Sequence, residues 1–246
     1  MDEKQIAEII KTLVPTEKVY DDVASPALKE AGGALVSVIN TAKIAFLPFE
    51  LGEHVYYLLS GHLKRIFDQV SREKQIEPPL EIAGPVLEGL KYTSEFSVLA
   101  SMFENLLARA IDKERAREAH PAFVTIIKQL APDEALLLCY LRKGKHKEII
   151  RVEPVGMTPA VVPEHLLVSP DLPVKSLDFP TYASMYLSRL SKLELIFTDA
   201  IPQVWSAPAH EEAEKIQIEV REWRLTSFGN LFAKACVPES LPEKSE

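Results

Sequence analysis

Apolar residues recur at intervals of three and four over the first half of this chain. Between residues 49 and 70 the series Leu51, Val55, Leu58, Leu59, Leu63, Ile66 and Val70 marks one buried stripe of a helix. Pro48 suits its start, where the missing N–H has no intrahelical acceptor to lose. Pro78 and Pro79 end whatever precedes them, because proline disfavours helical geometry in the residue before it. A short helix is expected over residues 80–92, with Pro85 in its first turn or at a kink. The strongest periodic run, residues 94–117, sets Phe96, Leu99, Phe103, Leu106, Leu107, Ala110 and Ile111 on one face, with Ser94 as expected N-cap. Each large side chain contributes about 1.5–3 kcal/mol when fully buried, so this face alone is enough to anchor a bundle. His120-Pro121 opens a further helix over 121–130. Another starts at Pro132, where Asp133 and Glu134 meet the positive end of the helix dipole.

After Lys145 the texture changes. Residues 148–155 (EIIRVEPV) are rich in β-formers, and prolines at 159, 163, 170, 173 and 180 favour extended loop with short strands. Residues 182–198 read as a helix running into an exit strand, and Ile216, Ile218 and Val220 alternate as in a strand over 216–224. The stretch WRLTSFGNLFAKACV, residues 223–237, ends a strand in a Leu-Thr step and turns at once into a short apolar helix. A helix closing on a leucine-rich elbow, an extended hairpin and this final turn together suggest a winged-helix module. The expected fold is mainly α: an N-terminal helical bundle over 1–130, a winged-helix-like α+β module over 131–237, and a disordered tail over 238–246.

Composition narrows the functional classes. At 246 residues and 47% hydrophobic, the chain has enough apolar material for one sizeable core or two small ones. A formal charge of −8 disfavours broad nucleic-acid binding, which rests on clustered Lys and Arg. The densest basic stretch is Arg142-Lys143-Gly144-Lys145-His146-Lys147. In a DNA-binding version Arg142, Lys143, Lys145 and Lys147 would clamp phosphates, while Tyr182, Arg189 and Lys192 would ride on the groove helix, where Ser184 and Met185 offer little base readout. Glu211, Glu212, Glu214 and Glu222 would surround the wing with repulsive charge, so a solvated turn is the favoured reading. Residues 31–49 form the most apolar segment, with Lys43 its only charge. It barely reaches the ~20 residues a bilayer span needs. Leu35, Val38, Ile39, Ala42 and Phe46 make a stripe opposite Ser37, Asn40 and Lys43, which suits a core helix. Membrane contact through Leu35, Val38, Ile39 and Phe46 is the alternative.

No residue pattern nominates a reaction. His54 and His62, with Glu50 or Glu53, lie on one helix, but eight residues set the histidines about 12 Å apart, too far for one ion without further ligands. No HExxH, Gly-rich phosphate loop or nucleophile signature is present. His120 before Pro121 is read as structural rather than as a catalytic base, hydrogen-bonding the exposed amides at a helix start or a neighbouring helix. Cys139 and Cys236 sit in apolar helical stretches and are expected to be buried free thiols. The opening MDEKQIAEIIKTL is acidic and amphipathic, unlike a secretory signal, which makes cytoplasmic residence the default. No catalytic residue, cofactor or metal is expected.

Three stretches carry a family resemblance: residues 79–110 (PLEIAGPVLEGLKYTSEFSVLASMFENLLARA), 120–141 (HPAFVTIIKQLAPDEALLLCYL) and the terminal LTSFGNLFAKACV from Leu225. Together the chain resembles the bacterial abortive infection alpha family from about residue 30 to residue 237. The family's C-terminal motif often has Pro where Ser227 stands. The Arg-Leu-Gly-Leu-Ile elbow of such domains appears here as Arg189-Leu190-Ser191-Lys192-Leu193-Glu194-Leu195-Ile196, longer and without glycine. The resemblance implies defence against bacteriophage and supplies no catalytic residues. The expectation is a non-enzymatic protein acting on a protein partner, with DNA regulation or membrane perturbation as alternatives.

Overall fold

The computed structural model describes residues 33–46, 53–144, 146–154, 166–167, 174–206 and 215–241. They are mainly helical, with one antiparallel sheet, and fall into two compact units. One unit runs up to Leu130 and takes in the residues from Lys234 onward; the other is Ala131–Ala233. Pro48, Glu50 and Leu51 lie outside the described residues, as do 242–246 of the expected tail.

The first unit contains α1 (Gly33–Phe46), α2 (Glu53–Asp68), α3 (Leu80–Lys91), α4 (Val98–Ile111) and α5 (Pro121–Gln129). Helices α3 and α4 form its centre: α1 packs on α3, α2 touches both, and α5 touches both. Val38, Leu63, Ile66, Val86, Leu87, Met102, Leu106, Leu107, Ile111 and Ile127 fill the interior. Leu35, Val38 and Ile39 are buried within this packing, while Asn40 faces water. The side chain of Phe46 lies outside the described residues. No helix among the described residues is long and apolar enough to cross a membrane. Gly89 matters at the α3–α4 crossing, because a Cβ there would meet the Phe103 ring at 2.5 Å.

Helix α4 departs from the expected 94–117 at both ends. Its N-cap is Ser97, whose side chain accepts from Ala100 N–H at 3.1 Å, and Phe96 just before it takes a left-handed φ of 59°. Ser94 is therefore three residues too early. At the other end the chain is drawn away by tertiary hydrogen bonds: Ile76 N–H donates to Ile111 O and Lys113 N–H to Lys74 O. These bonds replace the next helical turn, and the charged stretch becomes a turn followed by the 3₁₀ segment Ala116–Glu118. Pro85 is the sixth residue of α3, beyond its first turn, so the Glu81 carbonyl lacks an i+4 donor. His120 caps α5, its Nδ1 accepting from Ala122 N–H at 3.1 Å. The last residues of the chain complete this unit: Ala235, Cys236 and Val237 are buried, and Asn105 Nδ2–H donates to Cys236 O at 2.9 Å.

In the second unit, α6 (Pro132–Leu141) precedes β1 (His146–Pro154) and the short β2 (Leu166–Leu167). Then come α7 (Ala183–Lys192), β3 (Ile196–Ser206), β4 (Lys215–Leu225) and α8 (Ser227–Ala235). The four strands form one sheet in the order β2-β1-β4-β3. β3 and β4 pair from Ile196↔Leu225 to Ser206↔Lys215, and β1 pairs with β4 with a register irregularity between Ile149 and Arg151. Helix α6 packs on α7 and β4, and α7 on β3. Of the proline-rich 155–180, most residues lie outside the description; β2, the 3₁₀ turn Val174–Ser176 and the bend that follows to Pro180 are described.

Candidate functional site

Helix α7 divides cleanly by spacing. Ala183, Tyr186, Leu187 and Leu190, at steps of three, one and three, are buried. Tyr182, Met185, Ser188, Arg189 and Lys192 face water on the other side. Tyr182 is 52% exposed, Met185 47%, and Phe179, in the turn that leads in, 58%. Exposed side chains of this size are unremarkable singly, but here three follow one another along one face.

The segment carrying them is held firmly. Asp133, buried at the start of α6, accepts from two consecutive backbone groups: Asp178 N–H at 2.8 Å on Oδ1 and Phe179 N–H at 3.0 Å on Oδ2. Burial and the neighbouring Asp133 push the Tyr186 hydroxyl above its ordinary value. Carboxylate–amide bonds of this kind are about twice as strong as neutral ones. The Phe179 and Tyr182 rings stack at 6.0 Å, and Tyr182 meets Tyr186 edge-on at 6.4 Å. The aromatics are thus in water at their faces and ordered at their roots.

Beside Asp133, Glu134 is wholly buried. Its Oε2 accepts from Ala131 N–H at 2.8 Å, and its Oε1 lies 3.1 Å from Arg189 Nε. Burial pushes the Glu134 carboxyl above the ordinary range, opposed by the Ala131 amide and the Arg189 charge. Two acids at a helix start were legible as dipole partners. Their burial, and the distant amides that Asp133 holds, were not.

The elbow that follows α7 explains the Leu-Thr motif. Glu194 takes a left-handed φ of 60°, in a stretch where glycine would be the undemanding residue. Thr226 then acts in two directions: its hydroxyl donates to Glu194 O, and accepts from Gly229 N–H at 2.7 Å to cap α8. Thr226 N–H donates to Leu195 O at 3.0 Å. A Cβ on Gly229 would lie 1.8 Å from that same Leu195 oxygen, so this position accepts only glycine.

The predicted basic residues do not form one patch. Arg189 is tied to Glu134 near the start of α6, whereas Arg142 and Lys143 follow its last residue. Eight residues of helix put about 12 Å between those ends. Arg142 is half-buried, capping α6 through its N–H to Leu138 O. Lys143 is exposed, its ammonium 5.2 Å from the centre of the Tyr140 ring. His146 is buried and its Nε2–H donates to Tyr140 O at 3.0 Å, folding the basic run back on α6. Lys145 lies outside the described residues; Lys147 stands opposite Glu222 in the β1–β4 register, its side chain undescribed. Lys192 is exposed in the last turn of α7.

A second polar cluster, in the first unit, pairs His62, weighed from the sequence only as a metal ligand, with a glutamate the sequence did not nominate. His62 and Glu104 are buried, and His62 Nδ1–H donates to Glu104 Oε1 at 2.6 Å. Arg65 Nε donates to the same oxygen at 2.9 Å and one of its terminal nitrogens to Glu95 at 3.0 Å, while Phe96 covers the guanidinium at 4.9 Å. The signal lay in the pattern: His62 adjoins Leu63 on an apolar stripe, and Glu104 follows Phe103. A charge placed on an apolar stripe asks for a buried partner. His54 and Glu53 have undescribed side chains, and no group of three or more His, Cys, Asp or Glu among the described residues is arranged to hold a metal ion.

Both thiols are buried and inert. Burial pushes Cys139 up to about 12, against the pull of Arg142 and Lys143, and Cys236 well above the ordinary thiol value. Comparison with curated proteins and with solved structures finds no match. The family model for abortive infection alpha matches residues 57–236, which is most of the chain and spans the α3–α4 centre, the α7 elbow and the α8 motif, and the chain belongs to that family.

Proposed function

We propose that this chain is a cytoplasmic phage-defence protein of the abortive-infection kind that performs no chemistry of its own and acts by binding a protein through the outer face of α7. The observation that carries the reading is a row of exposed large side chains, Phe179, Tyr182 and Met185, rooted on the buried carboxylate of Asp133. Aromatic anchors that are ordered before binding lose little entropy on association, which is what makes them effective contact residues.

The second unit fits a winged-helix-like arrangement. Its helix–strand–helix–hairpin order and the strand neighbours β1-β4-β3 support that assignment, with α7 as the presented helix and the β3–β4 hairpin as the wing. Such modules serve DNA and protein alike, so the side chains decide. On α7 the outward residues before Arg189 are tyrosine, methionine and serine, and Arg189 is shared with Glu134. The separated ends of α6 weigh further against a phosphate clamp. For the first unit, the burial of Leu35, Val38 and Ile39 favours core packing over membrane contact.

Expression in a phage-sensitive bacterium tests the reading. The wild-type chain is expected to reduce plaquing while infected hosts die at high phage dose. A Tyr182→Ala, Met185→Lys double variant should stay folded and lose protection. Full protection by a folded double variant overturns the assignment. Protection lost instead with Lys143→Glu and Lys147→Glu, together with a salt-sensitive gel shift, moves the activity to nucleic acid.

A further inference from the structure

The outer face of α7 is complementary to itself. Its leading end carries the exposed carboxylate of Asp178 and the rings of Phe179 and Tyr182; its trailing end carries the cations Arg189 and Lys192; Met185 lies midway. We propose that this face docks on the same face of a second copy of the chain, the two α7 helices running antiparallel about a two-fold axis near Met185. The inference rests on the reading that this face binds protein, and names the partner.

A two-fold contact pairs each position with its counterpart twice over: residue i meets j, and j meets i. With Met185 at the axis, antiparallel α7 helices set Tyr182 of one copy against Arg189 of the other, to within one residue. The same arrangement brings the turn before α7, which carries Asp178 and Phe179, to the Lys192 end of the other copy. Each half of the face then supplies what the other lacks. Carboxylate meets ammonium, an aromatic face meets guanidinium, and the two thioethers meet on the axis. The Arg189 Nε lies 3.1 Å from a Glu134 carboxylate oxygen, and the arginine side chain is still 45% exposed. A parallel arrangement would instead set Arg189 against Arg189 and Lys192 against Lys192, which like-charge repulsion excludes.

The same charges rank the possible occupants. A nucleic acid would engage Arg189 and Lys192 but would meet Asp178 at the other end. A wholly acidic partner would meet the same carboxylate. A second copy satisfies both ends at once. The face is small, one short helix and its leading turn, where a stable interface takes about 800 Å² from each partner. A charge of −8 on each copy opposes approach at long range. The dimer is therefore weak, forming at micromolar concentrations and separating on dilution, so its population follows the local concentration of the protein.

The test is sedimentation velocity of the full chain from about 1 to 100 μM, a range that brackets a micromolar Kd. The wild type is expected to shift from monomer to dimer across it. Lys192→Asp and Asp178→Lys should each raise the Kd about tenfold or more by opposing like charges, and the double swap should recover most of the loss. Both sites are exposed, so folding is spared, and far-ultraviolet circular dichroism checks it. Met185→Cys should be joined in good yield by a short bis-maleimide, because the native thiols are buried. A monomer throughout the range overturns the proposal, as does a dimer indifferent to the swaps. Plaque protection measured on the same variants separates the two readings. A monomeric wild type whose protection is lost with Met185→Lys leaves α7 binding some other molecule and removes the second copy. A charge-sensitive dimer whose monomeric variants protect fully keeps the dimer and removes the proposed role of this face in defence.

Discussion

Helices α4 and α7 are both amphipathic in sequence, and they end in opposite circumstances. No residue of α4 is exposed; even its charged Glu104 is buried and paired with His62 and Arg65. On α7 four positions stay in water, one of them methionine, and the turn before it adds Phe179 and Tyr182. The polar groups are distributed the other way round from intuition. Buried acids, Glu104 in one unit and Asp133 in the other, serve architecture, while Met185 on α7, with Phe179 and Tyr182 before it, is left in water. In this molecule the charged clusters fasten the chain, and the ordered hydrophobic surface is what stays uncovered.

Substitutions at the two helices and at their neighbours put numbers on that contrast. The largest effect is expected outside both helices, at their shared kind of constraint, close backbone approach. Gly229→Ala forces a Cβ to within 1.8 Å of the Leu195 oxygen, and backbone cannot rotate away as a side chain can. A loss of about 4 kcal/mol or more, or failure to fold, should appear in chemical denaturation. Next, Leu107→Ala in α4 should lose about 2–5 kcal/mol by leaving a cavity, against less than about 0.5 kcal/mol for Met185→Ala in α7. Equal losses at the two sites would mean that α7 is covered.

Asp133→Ala leaves the Asp178 and Phe179 amides without their acceptor and should cost about 2–3 kcal/mol. It should also speed hydrogen exchange at those two amides before any global unfolding. Glu194→Gly should gain about 1 kcal/mol by relieving the left-handed conformation, visible as a higher melting temperature. The smallest effect is on pH dependence. Glu134 titrates above the ordinary carboxylate range because it is buried. Its protonated form is the one the fold favours, so its contribution is full below the unfolded carboxyl's range and declines as pH rises through the raised value. Glu134→Gln should remove that decline, so urea midpoints of variant and wild type should diverge in the variant's favour from pH 4 toward pH 7. A gap that stays constant would show that Arg189 offsets the burial.

Much of the fold was legible because its cause is local. The stripe through Leu59, Leu63, Ile66 and Val70, the proline starts at 121 and 132, the His120 cap and the alternation of Ile216, Ile218 and Val220 are each written in a few neighbouring residues. The errors at α4 have a different origin. Ser94 and Ser97 are equally good caps on paper, and the choice was made by Phe96 accepting a left-handed turn without a glycine to announce it. The helix stopped at Ile111 because Ile76 and Lys74, more than 30 residues earlier, bond across the chain's next turn. The candidate site was half visible. Arg189 and Lys192 were singled out on the right helix for a charge reading, while Phe179, Tyr182 and Met185 define its face. Asp133 holds amides 45 and 46 residues away, and no spacing rule reaches that far.

One consequence follows from the placement of the last helix turn. Asn105 reaches the carbonyl of Cys236, and Lys234 reaches Glu118, so the first unit is sealed by residues translated more than a hundred positions later. During synthesis the N-terminal helices leave the ribosome with that seam open. At about 5–20 residues per second, several seconds pass before the closing segment emerges. The nascent bundle must spend that interval incomplete, which makes early termination, even within the final dozen residues before Val237, a lesion of the beginning of the protein as much as of its end.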